Sequence, residues 1–379
     1  MEFFNIEKKC SHTKARTGVL NFDRGQVKTP VFMPIGTVGS VKGLMMDEMN
    51  RLGAGIILGN TYHLWLKPGM DVIKSFDGLH KFNTWKGPIL TDSGGFQAFS
   101  LSKIRKFTEE GVTFRVPSSG EKKFLSPEIS MEIQTNLGSD IALVLDECLP
   151  AEVTYKQAKS ALFRTHRWAI RSKEAFNKLQ KPEELNKRRL FGIPQGAQFQ
   201  DLRELSAKMT MEIGFDGYSI GGVANGGEPE EMMYQQVDIQ TSILEESKPK
   251  HLLGVGTPID IVNMVAAGID MFDCVYPTRN ARHGSIFIKH NNNEYSAVQI
   301  SSTKYLYDQL PINPDSKFAE LREYSRGYLC HLFRAKELLA YRLATLNNIE
   351  YYMGLMDTVR EEINNDTFLE FKSTFKRIN

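Results

Sequence analysis

Three aspartates, Asp92, Asp146 and Asp273, each fall at the end of a short run rich in apolar and β-forming residues: Pro88 to Thr91, Ile141 to Leu145 and Met271-Phe272. Carboxyl groups brought together can divide a reaction between them, since an ionised carboxylate attacks an electrophilic carbon while a protonated one acidifies a leaving group. Other polar and glycine-rich clusters follow further apolar runs: Asn60-Thr61-Tyr62-His63, Gln195-Gly196, Gly221-Gly222, Gly254-Val255-Gly256 and Pro277-Thr278-Arg279. An Asp after a strand is ordinarily a helix cap or a turn residue. Three of them, each with polar neighbours, argue for a shared site. Oxygen ligands for Mg²⁺ or Ca²⁺ are the competing use, and nothing beyond the carboxylates supports it. The eight histidines show no HxH or HExxH spacing, and only His63 lies in one of the polar clusters.

What brings such residues together is an alternation of strands and helices. Eight candidate strands, Thr29 to Ile35, Gly55 to Gly59, Pro88 to Thr91, Ile141 to Leu145, Leu190 to Ile193, Gly217 to Ile220, His251 to Val255 and Met271 to Val275, are separated by helix-period stretches. Several are continuous apolar runs, as strands buried on both faces should be. The pattern predicts an α/β fold, a (β/α)8 TIM barrel over residues 1–279, whose site is built at the C-terminal ends of the strands. A helix is expected from Ser126 to Gly138, with Ser-Pro-Glu at its start and Gly at its end. A second is expected from Thr154 to Gln180, with an amphipathic repeat. Residues 1–28 read as strands with a turn at Arg24-Gly25, a β cap on the barrel floor. Residues 280–379 read as a C-terminal, mostly helical subdomain: a strand at Ser285 to Ile288, then helices Tyr324 to Leu346 and Glu350 to Asn364.

Composition narrows the function classes. Across 379 residues, 47 Lys+Arg stand against 45 Asp+Glu, and the net charge of +2 excludes a polybasic tail protein. Local bias survives that balance: eleven basic against four acidic residues in 151–190, and ten against six in 279–342. Cys10, Cys148, Cys274 and Cys330 form no CxxC pair, so neither a disulfide framework nor a cysteine-rich zinc knuckle is expected, and a cytoplasmic compartment fits. No signal peptide and no membrane span are read.

Taken together, Thr91-Asp92-Ser93-Gly94-Gly95-Phe96-Gln97, Asp146-Glu147-Cys148, Gln195-Gly196, Gly221-Gly222 and the run from Met271 to Arg282 closely resemble the motifs of bacterial-type tRNA-guanine transglycosylases, in order and nearly in spacing. The resemblance extends from about Phe4 to the C-terminus. It implies a βα barrel that exchanges the wobble guanine of tRNA for a 7-deazaguanine in queuosine biosynthesis. By the same resemblance, Asp273 is the nucleophile toward the ribose anomeric carbon and Asp92 the general acid/base. Asp146, Gln195 and the Gly222 N–H read the base edge, Phe96 and Leu253 sandwich the purine, and Arg279 and Arg282 hold the anticodon loop. The chemistry wants these residue types: retention at a glycosidic carbon calls for a carboxylate nucleophile and a second carboxyl, and guanine offers N–H donors that an ionised Asp accepts.

Two departures stand out. The family carries a C-terminal zinc site of the form Cys-x-Cys-x-x-Cys with a distant His, and alignment puts Ser316, Phe318, Leu321 and Asn347 at those positions, so a metal-free subdomain is expected and no cofactor. The loop Gly221 to Glu228 is longer and richer in glycine than in members using the aminomethyl precursor, a likeness to queuine users, whereas Cys148 resembles the precursor users. The expectation leans to 7-aminomethyl-7-deazaguanine, with queuine as the alternative. A homodimer is expected. The competing classes are a non-catalytic tRNA-binding subunit of such an enzyme, and a barrel enzyme acting on another nucleic acid such as DNA.

Overall fold

The computed structural model describes residues 2–378 except 101–104, 118, 151, 183–186 and 224–229. Its centre is a closed ring of parallel strands. β1 runs Val31–Met33 and resumes at Ile35–Gly36, interrupted at Pro34, whose nitrogen carries no proton for a ladder but whose carbonyl still accepts from the Leu58 N–H at 3.1 Å. The others are β2 (Ile57–Gly59), β3 (Ile89–Thr91), β4 (Ile141–Leu143), β5 (Arg189–Gly192), β6 (Gly217–Ile220), β7 (Lys250–Leu252) and β8 (Met271–Asp273). Each pairs with the next, and β8 returns to the first half of β1, so the sheet has no free edge. The expected α/β barrel is therefore present. All but one of the residues in these short strands are buried, which is why they read as unbroken apolar runs.

Local signals set the outer helices. Ser126 accepts from the Ile129 N–H at 3.2 Å, Pro127 opens the helix Pro127–Leu137, and Gly138 closes it at φ +73°, where a Cβ would be strained. Thr154 and Gln157 form a reciprocal cap on the 25-residue helix Tyr155–Leu179. Between β3 and β4 lies an antiparallel sheet, Arg105–Phe107, Val112–Arg115 and Lys122–Leu125, which was not anticipated.

The N-terminal strands Phe4–Lys9, Arg16–Phe22 and Gly25–Thr29 form one antiparallel sheet. Arg16 ties it to the barrel floor: its guanidinium donates to both oxygens of Asp270, the residue before β8, at 2.8 and 2.7 Å, and to the Lys248 carbonyl at 2.9 Å. Both side chains are buried.

After β8 come the helix Tyr276–Arg282, the hairpin Ser285–Lys289 with Glu294–Gln299, and the helices Ala319–Glu323, Arg326–Ala335, Leu338–Asn364 and Phe368–Thr374. The strand expected at Ser285 to Ile288 is found. The helix boundaries differ. The break falls at Lys336, left-handed at φ +59° and donating its N–H to the Leu332 and Phe333 carbonyls, while residues 347–349 continue a 27-residue helix. That helix packs on Tyr276–Arg282 and Ser285–Lys289. Asn348 bridges them, its amide donating to the Pro277 and Ser285 carbonyls, both at 3.0 Å, and its carbonyl accepting from the Phe287 N–H at 3.0 Å. No helix among the described residues is long and apolar enough to cross a membrane.

Candidate active site

Asp92 follows β3 directly and is half-buried. One of its oxygens accepts from the Thr61 N–H at 2.8 Å, the other from the Asn60 amide at 2.7 Å and the Gln97 amide at 3.0 Å. Thr61 returns a hydroxyl bond of 2.6 Å to the Asp92 carbonyl, fastening the ends of β2 and β3 together. Burial pushes this carboxyl up to about 7; the Asp273 charge adds to that rise, and the hydrogen bonds from Thr61 and Gln97 oppose it. At neutral pH Asp92 is thus divided between acid and base, as a proton-transfer group should be. His63 reaches the same network, its Nδ1 lying 2.6 Å from Asn60 Oδ1.

Asp273 ends β8 and is buried. Its Oδ1 lies 2.8 Å from Nε2 of His251 and accepts from the Gly254 N–H at 3.3 Å. His251, in β7, is completely buried, with Nδ1 3.0 Å from the Ser219 hydroxyl of β6. The sequence set no value on this histidine. A strand buried on both faces has no polar alternation to say which way a side chain points.

The third aspartate is the centre of a separate hydrogen-bonded cluster. Asp146 is buried; one oxygen accepts from the Gln195 amide at 2.6 Å and the other from the Ser93 hydroxyl at 3.2 Å. Burial raises its carboxyl to about 6, against the pull of the Gln195 and Ser93 bonds. Ser93 had been given no role, though it stands one residue from Asp92. Gly222 comes so close to Gln195 that a Cβ there would lie 2.4 Å from Oε1, at a φ of +67°. Only glycine fits. The buried Arg203 fixes this turn by donating to the carbonyls of Gly221 and Gly222 at 2.7 and 2.6 Å.

Of the remaining residues, Phe96 is exposed on the helix Gly95–Ser100, and Leu253 is half-buried just past β7, 3.4 Å from where a Cβ on Gly221 would sit. Cys148 is buried two residues beyond Asp146. Arg279 and Arg282 are exposed on the helix that follows β8, and Arg282 donates to the Thr278 carbonyl at 3.0 Å. The loop whose length suggested a queuine user lies mostly at 224–229, outside the described residues.

Three arginines on the basic face of Tyr155–Leu179 are paired with carboxylates of this chain. Arg167 donates to both oxygens of Glu109 at 2.8 Å and Arg171 to both oxygens of Glu128 at 2.7 Å. Arg164 pairs with Glu147.

Residues at the four expected zinc positions do not suit a metal. Phe318 and Leu321 are fully buried among apolar side chains, and Ser316 donates its hydroxyl to Glu350, which also accepts from the Lys317 N–H at 2.7 Å. The Asn347 amide donates to the Phe287 carbonyl at 2.9 Å. Among the described residues no group of three or more His, Cys, Asp or Glu could hold a metal ion.

Comparison with known proteins gives a consistent result. Residues 10–379 match the family described as queuine tRNA-ribosyltransferase. A queuine tRNA-ribosyltransferase of Actinobacillus pleuropneumoniae serotype 3 (strain JL03) is 48% identical over 373 residues, covering 97% of this chain and 95% of that protein. One from Vibrio campbellii (strain ATCC BAA-1116) is 48% identical over 372 residues, covering 98% and 95%.

Proposed function

The chain belongs to the queuine tRNA-ribosyltransferase family, a family of pentosyltransferases, and on that footing we propose that it exchanges the wobble guanine of tRNA for 7-aminomethyl-7-deazaguanine through a covalent ribosyl-enzyme intermediate. The observation that carries this reading is the placement of two carboxyls at the C-terminal ends of barrel strands, Asp92 after β3 held by Thr61, Asn60 and Gln97, and Asp273 at the end of β8 held by His251 and the Gly254 N–H. Such pairs split acid and nucleophile roles.

In the first half-reaction a carboxylate oxygen of Asp273 bonds to the ribose C1′ as the C1′–N9 bond breaks, and Asp92 gives its proton to the departing guanine. In the second, Asp92 takes the N9 proton of the incoming base as N9 bonds to C1′ and the Asp273 ester bond breaks. Two inversions restore the original stereochemistry. Asp146 accepts from the N1–H and N2 amine of the base, Gln195 and the Gly222 N–H meet its O6, and Phe96 and Leu253 hold its faces once it leaves the stack. Arg279 and Arg282 contact the anticodon loop. The aminomethyl base is favoured by Cys148, buried two residues beyond Asp146. The C-terminal region needs no zinc, and the protein works as a cytoplasmic homodimer, a compartment consistent with cysteines that form no CxxC pair.

Incubating the protein with labelled guanine and unmodified tRNA bearing a wobble G tests the reading, with Asp273→Ala as control. Incorporation lost in the variant is expected. Incorporation equal in the variant, or none by folded protein, would favour a non-catalytic tRNA-binding subunit. Competition with unlabelled 7-aminomethyl-7-deazaguanine and queuine identifies the incoming base.

A further inference from the structure

We propose that His251 is a positioning residue for Asp273, selecting the carboxylate oxygen that attacks and speeding breakdown of the ribosyl ester. This rests on the reading of Asp273 as nucleophile. The geometry supplies the rest. Oδ1 of Asp273 faces Nε2 of His251 at 2.8 Å and the Gly254 N–H at 3.3 Å, and among the described residues no hydrogen bond reaches Oδ2. Oδ1 is thereby occupied, and Oδ2 keeps its lone pairs for C1′.

The imidazole is oriented from behind. A carboxylate can only accept, so Nε2 carries the proton; in a neutral ring Nδ1 then has none, and the Ser219 hydroxyl, 3.0 Å away, donates to it. The hydrogen bonds run in one direction, from Ser219 to His251 to Asp273. His251 is completely buried, so water cannot replace the lost bonds in a variant.

This bond changes strength during the reaction. When Oδ2 bonds to C1′, Oδ1 becomes the carbonyl oxygen of an uncharged ester, and a hydrogen bond to it is weaker than one to a carboxylate. The His251 N–H therefore favours the state in which Asp273 leaves as carboxylate. Its loss slows the second half-reaction, where the incoming base displaces Asp273, and the covalent tRNA adduct persists.

His251→Phe removes the donor and keeps a flat ring; His251→Gln keeps an amide N–H near the Nε2 position. Adduct is formed with tRNA alone, then chased with 7-aminomethyl-7-deazaguanine and followed on denaturing gels, with thermal unfolding as the folding control. The Phe variant is expected to chase about 10-fold more slowly, the scale by which a hydrogen bond to a charged group exceeds one to a neutral group, with adduct accumulating during turnover. The Gln variant is expected within about 3-fold of wild type. A Phe variant that chases at the wild-type rate, or a folded Gln variant as slow as the Phe variant, overturns the proposal, because packing alone would then account for the histidine. A wild-type protein that exchanges guanine while forming no adduct abolished by Asp273→Asn removes the nucleophile reading itself, and this proposal with it.

Discussion

Asp92 and Asp146 are chemically identical side chains whose surroundings divide their roles. Both are raised by burial, Asp92 to about 7 and Asp146 to about 6. In the proposed reaction, guanine release needs Asp92 protonated to give its proton to the leaving group and Asp146 ionised to accept the base N–H groups. The rate therefore falls below about pH 6, as Asp146 takes up a proton, and above about pH 7, as Asp92 loses one. Single-turnover adduct formation between pH 5 and 9 should give a narrow bell with those limbs; a flat profile from pH 5 to 8.5 would contradict the assignment. Asp92→Asn should lower the rate about 10²- to 10⁴-fold, the usual contribution of a general acid. These carboxylates were legible in the sequence because a barrel presents its strand ends at one mouth, so an Asp just past an apolar run announces its own position. His251 and Arg203 were not. One lies inside a strand and the other on a helix, and each matters only through a partner, Asp273 in one case and the Gly221 and Gly222 carbonyls in the other.

Individual elements were readable in proportion to how locally they are determined. Ser126, Pro127 and Gly138 bound their helix by short-range bonds and backbone conformation, and the expectation matched to the residue. The C-terminal helices went otherwise. Lys336 ends one helix in the left-handed region without being Gly or Asn, so no breaker marks it. Asn347-Asn348 has the composition of a break yet lies inside a helix, because both amides spend their hydrogen bonds on the carbonyls of Phe287, Pro277 and Ser285. That use gives a prediction. Asn348→Leu leaves the Phe287 N–H and the Pro277 and Ser285 carbonyls without the partner they have now, so unfolding in urea should show a loss of about 2–5 kcal/mol, from roughly 1–3 kcal/mol per orphaned buried group with partial relaxation. An exposed substitution on the same helix, Glu361→Gln, should stay within about 0.5 kcal/mol of wild type.

Over the whole molecule, contacts distant in sequence take over tasks that composition alone would assign elsewhere. Burial of Phe318 and Leu321, with the bonds from Ser316 and Lys317 to Glu350, falls at the positions that align with the family's zinc ligands. The purified protein should therefore carry well under one zinc per chain and keep its unfolding temperature in excess chelator, whereas stoichiometric zinc, or a chelator-induced drop, would refute the metal-free reading. Charge behaves similarly. The excess of basic residues in 151–190 includes Arg167 and Arg171, which are matched by Glu109 and Glu128, some 40 to 60 positions earlier, a pairing no local count reveals. Arg279 and Arg282, exposed on the helix that follows Asp273, are the phosphate contacts proposed for the tRNA. Each phosphate contact steepens the fall of log affinity with log salt by about 0.7 to 0.9. Arg279→Ala should therefore weaken tRNA binding at low salt and make that slope shallower by about 1, while Arg167→Ala should leave the slope unchanged because its charge is already neutralised. Filter binding between 50 and 300 mM salt separates the two, and a slope that shifts with Arg167 but not with Arg279 would move the tRNA path from the helix after β8 to the face of Tyr155–Leu179.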